Sequence, residues 1–300
     1  MDYSARKGKM CKSVKCSTIF FICVEITIIL SVAIMSVCMR KMLTPNKRGF
    51  FVNDESISHP YHVSSVPNYM LYTIGFLVPV FVMFVVEAVY IRRCMDNHRI
   101  HRFLPEVPTK FTFWSWRCYQ LLAIFVFGAA STHFLTNLPK YSVGRLRPHF
   151  LDVCKPDFSL INDTSRYIEE DVCTGDHERI TEARLSFPSG HSSMSMYCAV
   201  FFILYLQKRF RFSRIFLLRP LLQVSIFGIG LYTGLTRITD YKHHWDDVLA
   251  GAALGCILAF LTMHRINEVV FKHKRLISDL EINGHKSTPL TTVISTATSV

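Results

Sequence analysis

Acidic residues are scarce in this chain: there are 22 Asp and Glu against 34 Lys and Arg, and charged residues make up only 19% of 300 positions. So little charge, beside 50% hydrophobic residues and 24 Phe, argues against a chain solvated on all sides and for a membrane protein. No Gly-rich phosphate-cradling loop is present, and no cluster of carboxylates forms an obvious cage for Mg²⁺. Neither an internal repeat nor interrupted mid-membrane helices speak for a transporter. No small-residue cleavage pattern follows the first apolar run, so that run is expected to stay in the membrane rather than be removed as a signal.

Six apolar stretches are predicted to span the bilayer, at roughly 17–39, 69–91, 119–137, 193–207, 220–236 and 248–264. The fourth and fifth are short or interrupted by small and polar residues. Each still crosses a ~30 Å hydrocarbon core as a helix, given tilt or local thinning. The expected fold is an all-α, six-transmembrane-helix bundle over residues 17–266, between a basic tail (1–16) and a polar tail (267–300) that reads as disordered.

A net charge of +12 raises nucleic acid as a partner, so the location of the charge decides. The two tails and the second and fourth connections together carry a net +15, while the other three connections carry −1. Basic charge therefore marks the cytoplasmic face. Both termini are expected inside, connections one, three and five outside or in a lumen, and nucleic acid is not an expected partner.

The cysteines fit that topology. Cys154 and Cys173 are the two in an outward connection, where a disulfide is permitted, and they are expected to pair. Cys11 and Cys16 are palmitoylation candidates on composition alone. Asn162-Asp-Thr164 is a glycosylation sequon on the same outward face. Glu25 and Glu87 lie within spans and read as structural, the first hydrogen-bonded to a neighbouring helix and the second snorkelling to the cytoplasmic edge.

Three polar stretches stand at the outward ends of spans. The last, Arg237 to Asp247, has a His and an Asp four residues apart, which face one way if a helix begins at His243. A polar loop with a helix cap would account for it equally well. The first, from Lys140 to His149, places three cations in eight residues, with Pro148 stiffening the backbone at Arg147. A held Arg beside a Lys suits a phosphate, although a solvated basic loop is the plainer reading. The middle one, Ser186 to Ser193, sets Gly190 and several hydroxyls at a helix start, which is an anion site by geometry and dipole. An ordinary N-cap explains the serines there but not His191. In the sixth span, Gly251-Ala-Ala-Leu-Gly255 is a small-residue pattern suited to close helix packing.

Folded into one bundle, these stretches would gather Lys140, Arg147, Arg237, the Ser189–Gly190 backbone, two histidines and Asp247. Such a set fits a phosphate, with one His attacking phosphorus and another protonating the leaving oxygen. Here the chain resembles the type 2 phosphatidic acid phosphatases, the lipid phosphate phosphatase branch of the superfamily shared with vanadium haloperoxidases. The resemblance rests on Lys140 with Arg147-Pro148, on Pro188-Ser-Gly-His191, and on Arg237 with His243 and Asp247; it extends over about 69–266. Thr236 and Asp246 depart from the usual pattern, the first keeping a hydroxyl and the second adding a carboxylate.

What the resemblance implies is a set of roles. His243 is the nucleophile, Asp247 fixes its tautomer, and His191 is the acid and then the base. Lys140, Arg147, Arg237, Ser189 and Gly190 hold the phosphoryl oxygens. His149 and His244 receive no role. The implied reaction needs no cofactor and no Mg²⁺, and its substrates are lipid phosphates in the bilayer. The implied place is the plasma membrane with the site facing outside, or a lumenal face of the ER or Golgi. Oligomeric state is left open, a homo-oligomer included. Two rival readings are a silent lipid-phosphate-binding relative and a metal hydrolase built on His191, His243, His244, Asp246 and Asp247.

Overall fold

The computed structural model describes residues 3–96, 110–160, 166–209 and 215–268. Asn162, the tail beyond 268 and the side chains of Cys11 and Cys16 lie outside the described residues. Among those described, the regular structure is all helical, with no strand and only two isolated bridges, Phe50 with Ile168 and Pro156 with Cys173.

Helix α1 (Tyr3–Met42) ends in Arg40 and Lys41, cations that suit the negative end of its dipole. It packs on the long α4 (Lys110–Val143), and polar contacts join the two. Tyr119 Oη donates to Glu25 Oε2 at 2.6 Å, while Ser36 Oγ donates to His133 Nδ1 at 2.6 Å and accepts from Asn137 Nδ2 at 3.0 Å. Helix α4 runs past Asn137, where the sequence reading ended its span, because Pro139 is absorbed inside the last two turns. Between these helices, α2 (Asn68–Tyr72) passes through a π-helical turn (Thr73–Leu77) into α3 (Val78–Asp96). Pro79 offers no N–H to the preceding turn, and the widened turn takes up that break.

The remaining long helices are α7 (Gly190–Arg209), α8 (Leu218–Thr239) and α9 (Trp245–Ile266). Two short ones precede them, α5 (Phe150–Cys154) and α6 (His177–Ala183). Among the described residues, five segments are long and apolar enough to cross a membrane: Ile19–Met42, Asn68–Arg92, Phe111–Val143, Leu218–Thr239 and Trp245–Ile266. The helix at the fourth expected span, α7, is not among them. It lies at the centre, buried almost throughout and packed on α3, α4, α8 and α9. A helix sheathed in protein needs no apolar surface toward lipid, so it can carry Ser192, Ser193 and Ser195.

Phe125, Tyr197 and Phe201 stack at the α4–α7 contact. Against α9 the approach is closer. A Cβ at Gly251 would meet the Ser189 carbonyl, and one at Gly255 would meet the Ser193 carbonyl and the Tyr197 amide. At the far end of α7, Glu87 is fully buried rather than snorkelling, accepting from Arg209 Nε at 2.7 Å and Nη2 at 3.1 Å.

The opposite end of the bundle is capped by connection one (43–67) and connection three (144–189). They share a small core of Phe50, Ile57, Leu146, Phe150, Ile168 and Ala183. A disulfide joins Cys154 to Cys173, with Cα atoms 4.6 Å apart.

Candidate active site

All three polar stretches meet under this cap. Gly144, at φ +60, turns the chain off the end of α4. Residues 145–147 then pair with 183–186: Arg147 N donates to Ala183 O at 2.8 Å and Ser186 N to Arg145 O at 2.9 Å. Lys140, in the last turn of α4, donates Nζ to Leu185 O at 2.8 Å. After the cis Phe187-Pro188 bond, Ser189 N donates to Asp247 O at 3.0 Å, tying the start of α7 to the first turn of α9. That amide is therefore committed within the protein. His191, one residue into α7, donates Nε2 to Val66 O of connection one at 3.1 Å.

Helix α8 ends at Thr239, and the chain curls back so that Lys242 N and His243 N both donate to Arg237 O, at 2.9 and 3.1 Å. Tyr241 takes a left-handed φ of 53 in this curl, and its carbonyl accepts His149 Nδ1 at 2.6 Å. The new helix begins at Trp245, two residues later than the His–Asp spacing requires, with His244 extended at the N-cap. His243 Nδ1 consequently lies 3.9 Å from Asp247 Oδ2, beyond a hydrogen bond. The imidazole that touches the carboxylate is His244, whose Nδ1 and backbone N reach Asp247 Oδ2 at 3.2 and 3.0 Å. Ser186 Oγ donates to the same oxygen at 2.6 Å, and Arg145 Nη1 to Oδ1 at 2.6 Å.

Burial holds the His243 ring well below its ordinary pKa, and the positive fields of Lys140 and Arg147 press the same way. It is a neutral imidazole among cations. Lys140, Arg147 and Arg237 also act on His191, and His191 acts on His243. Arg147 Nη1 is held by Glu182 Oε1 at 2.9 Å. Arg237 Nη2 is held by Asp240 Oδ2 at 2.7 Å, and its Nη1 by Ser64 Oγ at 3.3 Å. Yet three buried nitrogens here have no hydrogen-bond partner: Nε of Arg147, Nε of Arg237 and Nδ1 of His243. Buried donors left that way are costly unless a ligand completes them.

Several contributors carry no signal in the local sequence. Arg145, Ser186, Asp240 and Glu182 orient the predicted residues, and Ser64, Ser65 and Val66 come from connection one. Arg145 alone was legible, as one of the three clustered cations. His244, Asp246 and Asp247 bring ligand atoms within 4.8 Å of one another, a spacing that suits a metal ion. That space already holds a cation, because Arg145 Nη1 also donates to Asp246 Oδ2 at 2.6 Å. His191 and His243 are not part of the group.

Beside the polar space lies an apolar cavity of about 170 Å³ between α2, α7 and α8. Val66, Met70, Ile74, Phe202 and Ile229 are among its walls. Val66 thus faces the cavity with its side chain and His191 with its carbonyl.

Comparison with known proteins places the chain in a family. Residues 121–270 match the PAP2 superfamily. "Phospholipid phosphatase 1" of Rattus norvegicus is 38% identical over 81% of this chain and 83% of its own length. "Phospholipid phosphatase 2" of Homo sapiens is 38% identical over 83% of each. A "Putative phosphatidate phosphatase" of Drosophila melanogaster is 40% identical over 83% of this chain and 70% of its own. No solved structure matches. With its three motif stretches gathered around one cationic pocket and relatives of this identity over most of its length, the chain belongs to the PAP2 superfamily.

Proposed function

We propose that this chain is an integral-membrane lipid phosphate phosphatase. Its substrates are phosphomonoesters such as phosphatidate, lysophosphatidate, sphingosine 1-phosphate or ceramide 1-phosphate, cleaved through a phosphohistidine without a metal. The observation that carries this reading is the trio of buried, partnerless nitrogens on Arg147, Arg237 and His243. A phosphoryl group supplies oxygens for the two guanidinium groups, and its arrival lets Nδ1 of His243 close on Asp247 while Nε2 attacks phosphorus. Lys140, Gly190 and the hydroxyl of Ser189 complete the phosphate site, and the α7 N-terminus adds its dipole.

In the first step the neutral His243 attacks phosphorus. The P–N bond forms as the P–O bond to the lipid breaks, and His191 gives its Nδ1 proton to the departing oxygen. Burial and the nearby cations hold the His191 pKa down to about 4, and the bound phosphate offsets those cations so that the ring is protonated. In the second, His191 takes a proton from water, the resulting hydroxide attacks phosphorus, and the P–N bond breaks to release phosphate. Asp247 balances the charge that develops on His243, closing a distance that is long without substrate. Arg145, between Asp246 and Asp247, serves where a divalent cation would, which favours a metal-free reaction. The apolar cavity beside Val66 suits an acyl chain. With α7 counted as a span, for six in all, and both termini cytoplasmic, the site faces outside at the plasma membrane, or a lumen of the ER or Golgi. Asn162 would then be a glycosylation site.

The test is phosphate release from a panel of these lipids by purified protein with chelator present, alongside acid quenching with labelled substrate. Wild type should turn over and trap a phosphoenzyme, and His243→Asn should do neither. His191→Asn should lose far more activity on lipids than on p-nitrophenyl phosphate, whose leaving group departs without a proton. A wild-type protein that binds the lipids but releases no phosphate would instead be the silent relative.

A further inference from the structure

Asp240 caps the end of α8 and is 5% exposed, and it holds two things at once. Its Oδ2 accepts Arg237 Nη2 at 2.7 Å and Ser65 N at 2.8 Å, and its Oδ1 accepts Ser65 Oγ at 2.6 Å. The next residue, Val66, receives the Nε2 proton of His191 at 3.1 Å. Around Ser65 the chain has no regular structure, so no backbone ladder keeps it in place. Pro67 restricts Val66 to an extended backbone, but it does not anchor the segment to α8. Asp240 makes that anchor.

We propose that Asp240 is a positioning residue for the proton transfer, acting on His191 through the Ser65–Val66 peptide. This rests on the phosphatase reading above. A carbonyl only accepts, so the bond to Val66 keeps a proton on Nε2 of His191 and leaves Nδ1 as the atom that exchanges a proton with the substrate. If the Val66 carbonyl drifts, the ring turns and Nδ1 leaves the departing oxygen. The same carboxylate keeps Arg237 Nη2 engaged, so that its partnerless Nε stays turned to the phosphate. Asp240 therefore couples the group that binds the phosphate to the group that protonates the leaving oxygen.

Leaving-group dependence separates this role from a counter-ion for Arg237 and from a structural one. Every phosphomonoester needs Arg237, and needs His191 as the base of the second step, whereas only a poor leaving group also needs His191 as the acid of the first. Full-length wild type, Asp240→Asn, Ser65→Ala, His191→Asn and the Asp240→Asn/His191→Asn double variant are compared on phosphatidate in mixed micelles and on p-nitrophenyl phosphate. Asp240→Asn should lower kcat on phosphatidate by up to about 100-fold, the scale of a misplaced group, and on the aryl ester much less. Ser65→Ala, which removes one hydroxyl from a solvent-facing position, should shift both in the same direction by less. In the His191→Asn background, Asp240→Asn should add only its aryl-ester loss. Equal losses on both substrates, or losses on phosphatidate that multiply fully with His191→Asn, would overturn the proposal. If His191→Asn itself proves indifferent to leaving group, the assignment of His191 falls and carries this inference with it; the single variants tell the two failures apart.

Discussion

His243 is neutral because of where it sits, not because of a partner: burial and the fields of Lys140 and Arg147 oppose a charge on it. His149 follows the same logic, pushed down to about 4 by burial, with Nδ1 donating to Tyr241 O at 2.6 Å. An unfolded His takes a proton near pH 6.5. The fold therefore binds fewer protons than the unfolded chain between those values. The stability that this preference contributes is complete above 6.5 and is lost as pH falls toward about 4. His149→Gln, which can still donate to Tyr241 O, should flatten the decline of thermal stability on acidification through that window. An unchanged slope would show that His149 is not held neutral. At this scale, the charged members of the site were legible because ionisable residues stand out in an apolar chain. The helix that carries Asp247 starts at residue 245 rather than 243, because His244 is extended, and this leaves His243 Nδ1 3.9 Å from the carboxylate. Ser65 and Val66 were unreadable: a hydroxyl and two backbone groups met by partners more than a hundred residues away leave no pattern in sequence.

Helices α7 and α9 carry two of the three motif stretches at their N-terminal ends, and they touch backbone to backbone along Gly251 and Gly255. The small-residue spacing in the sixth span anticipated such a contact, though not which helix would fill it. Gly255→Ala should destabilise the protein by about 1–3 kcal/mol, because the added methyl lands on rigid main chain. Gly228, on α8, has open space where its Cβ would be, so Gly228→Ala should be neutral or stabilise by roughly 0.5–1 kcal/mol through helix propensity. Unfolding in detergent compares the two, and similar effects would mean that the seam is looser than its geometry. Five of the expected spans are long and apolar enough to cross; the fourth, read as a short span at 193–207, became α7, which is not. Its central position, with helices on every side, is a property of the assembled bundle that its own residues do not announce.

For the whole molecule, charge asymmetry and the site belong to opposite ends. The cap that covers the pocket lies at the start of α7, and the Glu87–Arg209 pair lies at the other end, with Lys208 in the same last turn. The proposed orientation puts the cap outside. A tag inserted after Asn162 should be reachable in intact cells expressing the protein at their surface, and a tag after Val300 only after permeabilisation. The reverse labelling would turn the molecule over and place the pocket in the cytoplasm.

The glycine seam also divides what can drift from what cannot. Where main chain meets main chain there is no side chain to exchange, and the ends of that seam bear His191 and His243. A descendant of this chain that came to prefer another lipid would have nothing to alter there. Its latitude lies in α2, α8 and connection one, whose side chains wall the apolar cavity. On the proposed reading, chemistry and choice of lipid rest on different side chains of one bundle, with α7 and α8 contributing to both. A library randomised at Met70, Ile74 and Ile229 would sample the second while leaving the first in place.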